Sequence, residues 1–485
     1  MKKPDFQPCR RILSAGRPTR KFEHLITPVP KARRLCLITI NSAWYQSSLA
    51  LRYLRNCLKG LPLRVKLLEF TTSEPLFEIL ARIACHKAGI YCFSAYVWNR
   101  NMLQALLPEL AKLQPQSRIV LGGPDADGAA YGLRPQDYVV KGPGEGALRH
   151  LADSAFTLPG GEIEHPAPPL RELPFPYRAA DKPALRDRLV YYETFRGCPF
   201  RCAYCLSATD DRHEPRFDVS QAADRRRLRS ELHRLLSFAP RTIKFVDRSF
   251  NINTALARYI WRFAIGLESS CEWHFEIYPE LLSEEDIELL SQAPAGRIRL
   301  ETGIQTVNRA VNQACGRRSD WPKARAMLLA LRRRTQVSVH ADLLAGLPGE
   351  TLSSVLHSLD ELAACLPHEI QLGTLKILSG TPMQAIACQR GYIWMDSPPW
   401  QVLASDRLSF SQMATLQDLA RIINLYWNKG EFREQWSALL AEGHRASQLF
   451  LRILARHREQ GLQLHSISAR LRAEVFAACF AAGDR

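Results

Sequence analysis

From residue 34 onward, apolar and polar positions alternate in blocks that predict strands and helices in turn. Short apolar runs at 35–40 (LCLITI), 65–70 (VKLLEF), 90–97 (IYCFSAYV), 119–121 and 138–140 have the length and continuity of buried strands. Amphipathic helical patterns such as 49–58 (LALRYLRNCL) and 102–113 lie between them. Strands alternating with helices predict an α/β fold, a flavodoxin-like doubly wound parallel sheet, over 34–159. Residues 1–33 are basic, proline-containing and aperiodic, and read as a loosely ordered extension. Residues 160–178 (GGEIEHPAPPLRELPFPYR) are so dense in proline and glycine that they are expected to hold no regular element, so 160–183 reads as a linker.

A second series follows, with strand candidates at 189–194, 242–246, 273–278, 298–302, 337–344 and 370–378. Helical patterns at 221–236, 254–267, 283–291, 321–334 and 352–365 separate them. Six successive β/α units, made parallel by right-handed crossovers, predict a partial (β/α)6 barrel of the TIM type over 184–404. Beyond residue 405 the strand signal stops. Residues 408–441 and 446–482 read as a helical C-terminal domain.

Composition changes this picture little. The chain has 485 residues, 46% of them hydrophobic and 23% charged, enough to build more than one core. Its apolar runs fall far short of the ~20 residues that cross a bilayer, and no apolar segment follows the basic start as in a secretory signal. A cytoplasmic protein with no membrane partner is expected. The net charge is +17, yet the basic residues come as short runs such as 225–227 and 332–334 on helix-like segments, where a solvated face is the ordinary explanation. No RNA-binding aromatic signature or zinc-finger spacing accompanies them, so nucleic acid is not the expected partner.

Thirteen cysteines, an odd number, argue for reduced thiols rather than a disulfide framework. Ten are dispersed. Cys198, Cys202 and Cys205 cluster in the sequence ETFRGCPFRCAYC. Three thiolates at this spacing can hold three corners of a cuboidal [4Fe–4S] cluster, one fewer than full cysteine ligation takes, and leave one iron free. The competing reading is a zinc site with His213 as fourth ligand, although zinc sites commonly use paired knuckles.

This motif, with Tyr204 before the last cysteine, resembles the radical S-adenosylmethionine superfamily. The resemblance implies that the open iron chelates S-adenosylmethionine, and that an electron from an external one-electron donor cleaves the sulfonium to a 5′-deoxyadenosyl radical. The cluster loop would then lie at the C-terminal face of the barrel. Asp247, in the stretch FVDRSF, stands where the family binds the methionine amino group, in place of its usual Gly-Gly-Glu. Glu301 and Gln305, in ETGIQ, look like the fourth-strand motif directed at ribose or methionine groups. Gly346 and Pro348, in HADLLAGLPGE, resemble the fifth-strand motif near adenine, and LKILSGTP at 375–382 looks like the sixth-strand end. Each has a plainer alternative: a Pro-Gly turn at 346–349, an ion pair of Glu301 with Arg299 or a nearby basic residue, a solvated pair of Asp247 with Arg248. Pro199 and Phe200 are expected to stiffen and dry the loop, and Arg196 and Arg201 are candidates for tuning the cluster's charge.

The first α/β series resembles the cobalamin-binding domain that precedes the barrel in one large class of the superfamily. The segments NSAWYQSSLALRYL (41–54), LGGP (121–124) and VKGPGE (140–145) carry the likeness, and they nominate Ser42, Gly122, Gly123, Gly142 and Glu145 as cobalamin contacts. Glycines after parallel strands allow close backbone approach to a ligand at the sheet's carboxyl edge. No DxHxxG motif follows the first strand, so no histidine is offered to cobalt. Trp44, Tyr45, Tyr96 and Trp98 would lie near this edge, where core packing is the commoner fate.

The whole chain thus resembles a subfamily of this class with a helical C-terminal domain of unknown function. The implied activity is radical chemistry on an unactivated carbon of a small molecule, with methylcobalamin delivering a methyl group. Cyclisation, rearrangement or oxidation without methyl transfer is the second enzyme reading. A non-catalytic, metal-cluster protein that binds nucleic acid is the third.

Overall fold

The computed structural model describes residues 34–480; the extension expected over 1–33 lies outside the described residues. Six strands build the first sheet: β1 (Arg34–Asn41), β2 (Arg64–Thr71), β3 (Ile90–Ser94), β4 (Arg118–Gly122), β5 (Tyr138–Lys141) and β6 (Gly161–Glu164). All pair in parallel in the order β2-β1-β3-β4-β5-β6, so the strand order reverses between β1 and β3. β1 reads as an unbroken apolar run because both its faces are covered. Cys36, Ile38 and Ile40 enter one core, Leu35 and Leu37 the other.

β6 falls inside the stretch expected to hold no regular element. It is an edge strand of sequence GEIE, exposed at three of its four residues, and its main-chain pairing with β5 supplies the order that its side chains do not announce.

The second sheet comprises β7 (Leu189–Tyr192), β10 (Thr242–Phe245), β11 (Glu272–Glu276), β12 (Ile298–Gln305), β13 (Ser338–Ala345) and β14 (Glu369–Thr374), all parallel and in sequential order. Between β7 and β10 lies a short antiparallel pair, β8 (Phe195–Arg196) with β9 (Glu214–Pro215). After β14 comes another, β15 (Ile393–Trp394) with β16 (Val402–Ala404). β7 and β14 are not joined, which makes the partial barrel an open one.

On β12 and β13 buried and half-buried residues alternate strictly. Leu300, Thr302 and Ile304, with Val339, Ala341 and Leu343, pack outward beneath the helices. Arg299, Glu301, His340 and Asp342 therefore face the lumen. The C-terminal region forms the helices Phe410–Tyr426, Arg433–Ala441, Ala446–Glu459 and Ala469–Phe480. Two of their breaks fall at glycines with positive φ, Gly430 and Gly461, where the sequence pattern reads on as helix. No helix among the described residues is long and apolar enough to cross a membrane.

Both free edges of the open barrel are covered. The Leu189 amide of β7 donates to the Tyr45 carbonyl (2.9 Å), and the Ser47 hydroxyl donates to the Leu189 carbonyl (3.0 Å). At the other edge, the Asn428 side chain accepts from the Ile370 amide and donates to the Ile370 carbonyl, both at 2.9 Å. A second tie joins the first α/β unit to the barrel's approach: Arg55 grips Asp181 with two bonds of 2.6 Å, both side chains about one-tenth exposed. Removing one member of such a pair strands a buried charge. The Arg55→Met variant should lose about 3–5 kcal/mol, read as a lower urea-unfolding midpoint. Arg55→Met combined with Asp181→Asn should recover much of that loss.

Candidate functional site

The cysteine loop is built on a constraint at Gly197. With φ at +90°, a Cβ there would overlap the Arg212 carbonyl, so only glycine lets the β8–β9 pair close beneath the loop. Cys198 follows directly, its Sγ 3.7 Å from the Ser249 hydroxyl beyond β10. The Cys205 amide donates to the Cys202 carbonyl (3.0 Å), turning the chain. Ala203 donates its amide to the Cys315 carbonyl (2.8 Å) and accepts from the Met383 amide (2.9 Å). The loop is thus docked between segments that follow β12 and β14, at the C-terminal face of the barrel where such folds build their sites. Cys198 and Cys202 are buried and Cys205 is half-buried; burial pushes the Cys198 thiol up.

The three sulfurs do not converge on a point. Among the described residues they form no group with ligand atoms within 4.8 Å of one another, whereas bonds of about 2.3 Å to one zinc would draw them to roughly 3.8 Å. His213 is exposed at the start of β9, its ring 6.4 Å from that of Phe195, and no contact joins it to the cysteines. Phe200 stacks on Tyr278 at 3.9 Å, consistent with a dry loop.

Below the loop, the lumen carries a connected ionic array. Register aligns Glu276, Glu301, His340 and Glu369 across four strands. Glu301 lies 2.7 Å from the Lys244 ammonium and 2.8 Å from His274 Nε2. Burial alone would raise this carboxyl; the contacts with His274 and Lys244 outweigh it and hold Glu301 well below the usual carboxylate range. Glu301 is therefore paired with nearby basic residues, Lys244 and His274, which favour its ionised form, while Arg299 takes Glu369 at 2.6 Å. His340 Nε2 sits 3.0 Å from Asp342 Oδ1. Glu301, His340 and Asp342 bring ligand atoms within 4.8 Å, but Lys244 already neutralises Glu301. At the end of β12, Gln305 takes a left-handed conformation (φ +67°) and folds its amide over Gly303, where a Cβ would run into it. Glu301 and Gln305 thus share the lumen side of one strand.

Other nominated residues are used differently. Asp247 is 1% exposed, and its two oxygens accept from the Thr194 amide (3.0 Å) and hydroxyl. Burial raises its carboxyl to about 7 despite these bonds. Its bonds to Thr194 tie the end of β7 to the end of β10, so neither a substitute for the family's glutamate nor a solvated pair with Arg248 describes it. Gly346 (φ +95°) and the buried Pro348 form the turn that closes β13. The Gly346 amide donates to Glu350 (3.2 Å), its carbonyl accepts from Tyr392 (3.1 Å), and Met413 of the helix Phe410–Tyr426 packs against it. Tyr204 lies half-buried beside Cys202. Arg196 bridges Glu193 and Glu145, each at 2.9 Å, and Arg201 is exposed and donates to the Ala208 carbonyl. Neither arginine reaches a cysteine sulfur. The one that does was missed by the sequence reading: Arg317, whose Nη1 lies 3.8 Å from Cys202 Sγ.

On the first sheet, Gly122 ends β4, and Ser42, Gly123 and Gly142 follow β1, β4 and β5, all at the carboxyl edge. Gly123 (φ +111°) approaches Ala95 so closely that a Cβ would lie 2.5 Å from its carbonyl oxygen. Ser42 is exposed and shares a 2.8 Å bond with Gln46. Glu145 is buried by its ion pair with Arg196, which corrects its nomination as a ligand contact: its carboxylate is committed to the barrel. Trp44, Tyr45 and Trp98 are 63%, 46% and 49% exposed, against the core role that is commoner for such residues. Trp98 stacks on Tyr96 at 4.3 Å and donates its indole N–H to the Ile40 carbonyl. The Tyr45 carbonyl accepts from the Leu189 amide at the start of β7, so the loop that carries Trp44 and Tyr45 touches the barrel. An exposed aromatic edge with close-approach glycines fits a large planar ligand such as a corrin.

Comparison with known proteins agrees with this division. Residues 35–152 match the B12 binding domain family, 192–362 the radical SAM superfamily, and 389–479 a family described as protein of unknown function (DUF4080). A 2-(S-pantetheinyl)-carbapenam-3-carboxylate methyltransferase from Streptantibioticus cattleyicolor is 28% identical over 149 residues, 24% of this chain and 21% of that protein. The chain therefore spans about a fifth of that relative's length. The radical S-adenosylmethionine methyltransferase TsrM from Kitasatospora setae, solved with cobalamin and a [4Fe–4S] cluster, superposes with a TM-score of 0.59 at 17% identity, covering 76% of this chain and 78% of that one. The cobalamin-dependent S-adenosylmethionine radical enzyme OxsB superposes with a TM-score of 0.63 at 12% identity, covering 92% and 75%. At these identities the two structures speak for the fold. The matched families are those that work with B12 and with S-adenosylmethionine on an iron–sulfur cluster, the cofactors expected from the sequence. With a B12-type sheet, a radical-type barrel and a three-cysteine loop in one chain, the protein belongs to the cobalamin-binding class of radical S-adenosylmethionine enzymes.

Proposed function

We propose that this chain is a cobalamin-dependent radical S-adenosylmethionine methyltransferase acting on an unactivated carbon of a small molecule, supplied with electrons by an external one-electron donor. The observation that carries the proposal is a three-cysteine loop docked at the C-terminal face of the barrel in a chain whose B12-type sheet exposes aromatic residues after its strands. When bound, the cluster and S-adenosylmethionine supply a carbon radical, and cobalamin supplies a transferable methyl group.

The chain's own residues bind, orient and exclude water. Cys198, Cys202 and Cys205 are the thiolate ligands. Glu301, kept ionised by Lys244 and His274, can accept hydrogen bonds from hydroxyls or an ammonium without taking up a proton over any ordinary pH range. Gln305, above it on the same strand, offers an amide that both donates and accepts. The stacked Phe200–Tyr278 pair shields the loop, and Trp44, Tyr45 and Trp98 offer apolar surface to a corrin. A small-molecule substrate is favoured over nucleic acid because basic runs are engaged locally: Arg225 donates to the carbonyls of Val219 and Ser220, Arg227 pairs with Glu231, and Arg334 with Glu284.

Two measurements test the reading. Anaerobically reconstituted protein should hold about four irons per chain with matching sulfide. The Cys198→Ala, Cys202→Ala, Cys205→Ala triple variant should hold almost none, and His213→Ala should be unchanged; one equivalent of zinc in the native protein, with no iron, would defeat the cluster reading. With reductant, S-adenosylmethionine and added cobalamin, native protein should form both 5′-deoxyadenosine and S-adenosylhomocysteine, the second dependent on cobalamin. Formation of 5′-deoxyadenosine with no S-adenosylhomocysteine would point instead to cyclisation, rearrangement or oxidation without methyl transfer.

A further inference from the structure

The first α/β unit meets the rest of the molecule on two sides, and the two junctions are built of unlike interactions. On the side of β7 the ties are buried charges: Arg196 with Glu145 at 2.9 Å and Arg55 with Asp181 at 2.6 Å, every side chain about nine-tenths buried. The bonds of Tyr45 and Ser47 with Leu189 lie on the same side. On the side of β14, among the described residues, no hydrogen bond or ion pair joins this unit to the chain beyond the strand. The contact there is a ring: Trp400 lies 5.0 Å from the guanidinium carbon of Arg100.

Both halves of that contact are held in place on their own side. The Ile377 amide donates to the Trp400 carbonyl and the Val402 amide to the Leu375 carbonyl, both at 2.9 Å, so the β15–β16 hairpin is bound to the chain just past the end of β14. The Trp400 amide donates to the Ser397 carbonyl (2.9 Å). Its φ of +55° is one that a bulky residue rarely takes, and these bonds fix it there. Arg100 opens the helix Arg100–Leu113, two residues after Trp98. Asp125, two residues after Gly123, takes its guanidinium at 2.8 Å and also accepts from the Tyr131 hydroxyl (2.6 Å). The Tyr131 ring lies 5.3 Å from the same guanidinium. The receiver of Trp400 is thus built on the loops that carry Gly123 and Trp98 at the carboxyl edge of the first sheet.

Magnitudes decide which junction yields. Parting a buried charge pair disfavours the parted state by roughly a hundredfold or more. A cation–π contact at a partly exposed site shifts an equilibrium only about two- to fivefold. Lifting Trp400 strands no charge, because Arg100 keeps Asp125. We propose that the β15–β16 hairpin is a latch: the cleft between the carboxyl edge of the first sheet and the barrel mouth is hinged on the β7 side and opens on the β14 side when Trp400 leaves Arg100. The proposal rests on the reading that this carboxyl edge holds cobalamin, which enters and leaves by that opening.

The test uses full-length protein free of cobalamin, with hydroxocobalamin as the probe and its loading and release timed by rapid filtration. Arg100→Gln and Trp400→Leu should each speed loading and release alike, about two- to fivefold, and leave the Kd at its native value. The double variant should be no faster than either single one, because all three remove the same contact. Native rates in the single variants overturn the latch, and either variant decides alone should the other fail to fold. Faster release with unchanged loading also overturns it and makes the altered residue a contact of the corrin. Multiplied effects in the double variant overturn it too, since the two side chains then act separately. A native protein that takes up no hydroxocobalamin overturns the cobalamin reading and the latch with it, and this is read before any variant is compared.

Discussion

An open parallel barrel has two unpaired strand edges, and covering them governs how this molecule is assembled. An unpaired edge buried from water is costly, and one left exposed invites pairing with another chain. The first edge, on β7, is covered by Tyr45 and Ser47 from the loop after β1; the second, on β14, by the side chain of Asn428. Both are main-chain hydrogen-bond partners, so they fix position as well as stability. The loop that covers β7 also carries Ser42, Trp44 and Tyr45 on its exposed side. Capping the first residue of β7 and carrying exposed aromatic residues are therefore tasks of one loop.

Charge reinforces the same junction. Arg196, two residues before Cys198, is held by Glu193 from the barrel and by Glu145 from the first α/β unit. All three side chains are about nine-tenths buried, so each charge depends on the others for compensation. The base of the cysteine loop is consequently held by both α/β units. Gly197 makes this possible by letting the chain reverse against Arg212 without a side chain in the way. A cluster loop built in this manner has its geometry set partly by the sheet that faces it.

How much of this the sequence revealed depends on whether the signal was local. β1 was legible because burial on both faces writes a continuous apolar run, and the helix Trp321–Arg334 because its period and its Pro at the second position are local features. The cysteine loop was legible for the same reason, since its ligands lie within eight residues of one another. β6 was not, because an edge strand of GEIE is ordered by its partner's backbone. An ion pair of Glu301 with a basic residue could be expected, but not that the residue is Lys244, because the two meet across 57 positions of chain, through strand register alone. Glu145 and Asp247 have the chemistry of ligand contacts; only their partners, Arg196 and Thr194, reveal that this chemistry is already spent. Arg317 follows a glycine in a connecting loop, and nothing local indicates that its guanidinium turns inward.

The distribution of charge along the barrel axis follows from what the site must hold. With an iron–sulfur cluster on the three thiols the mouth would be anionic, and Glu276, Glu301, Asp342 and Glu369 make the lumen beneath it acidic. Two anionic layers in a medium of low dielectric repel strongly unless cations stand between and among them. Lys244 bridges Glu276 and Glu301 from β10, and Arg248, three residues beyond the same strand, reaches Glu276 at 3.3 Å. Arg317 stands against Cys202 from the other side, beyond β12. These three cations come from only two of the β/α units. Their placement leaves Glu301 ionised yet compensated, so the lumen can receive a cofactor bearing both a cation and a carboxylate without a net surplus of either charge. An apolar lumen could not hold the anions apart, and a purely acidic one would oppose reduction of the cluster above it.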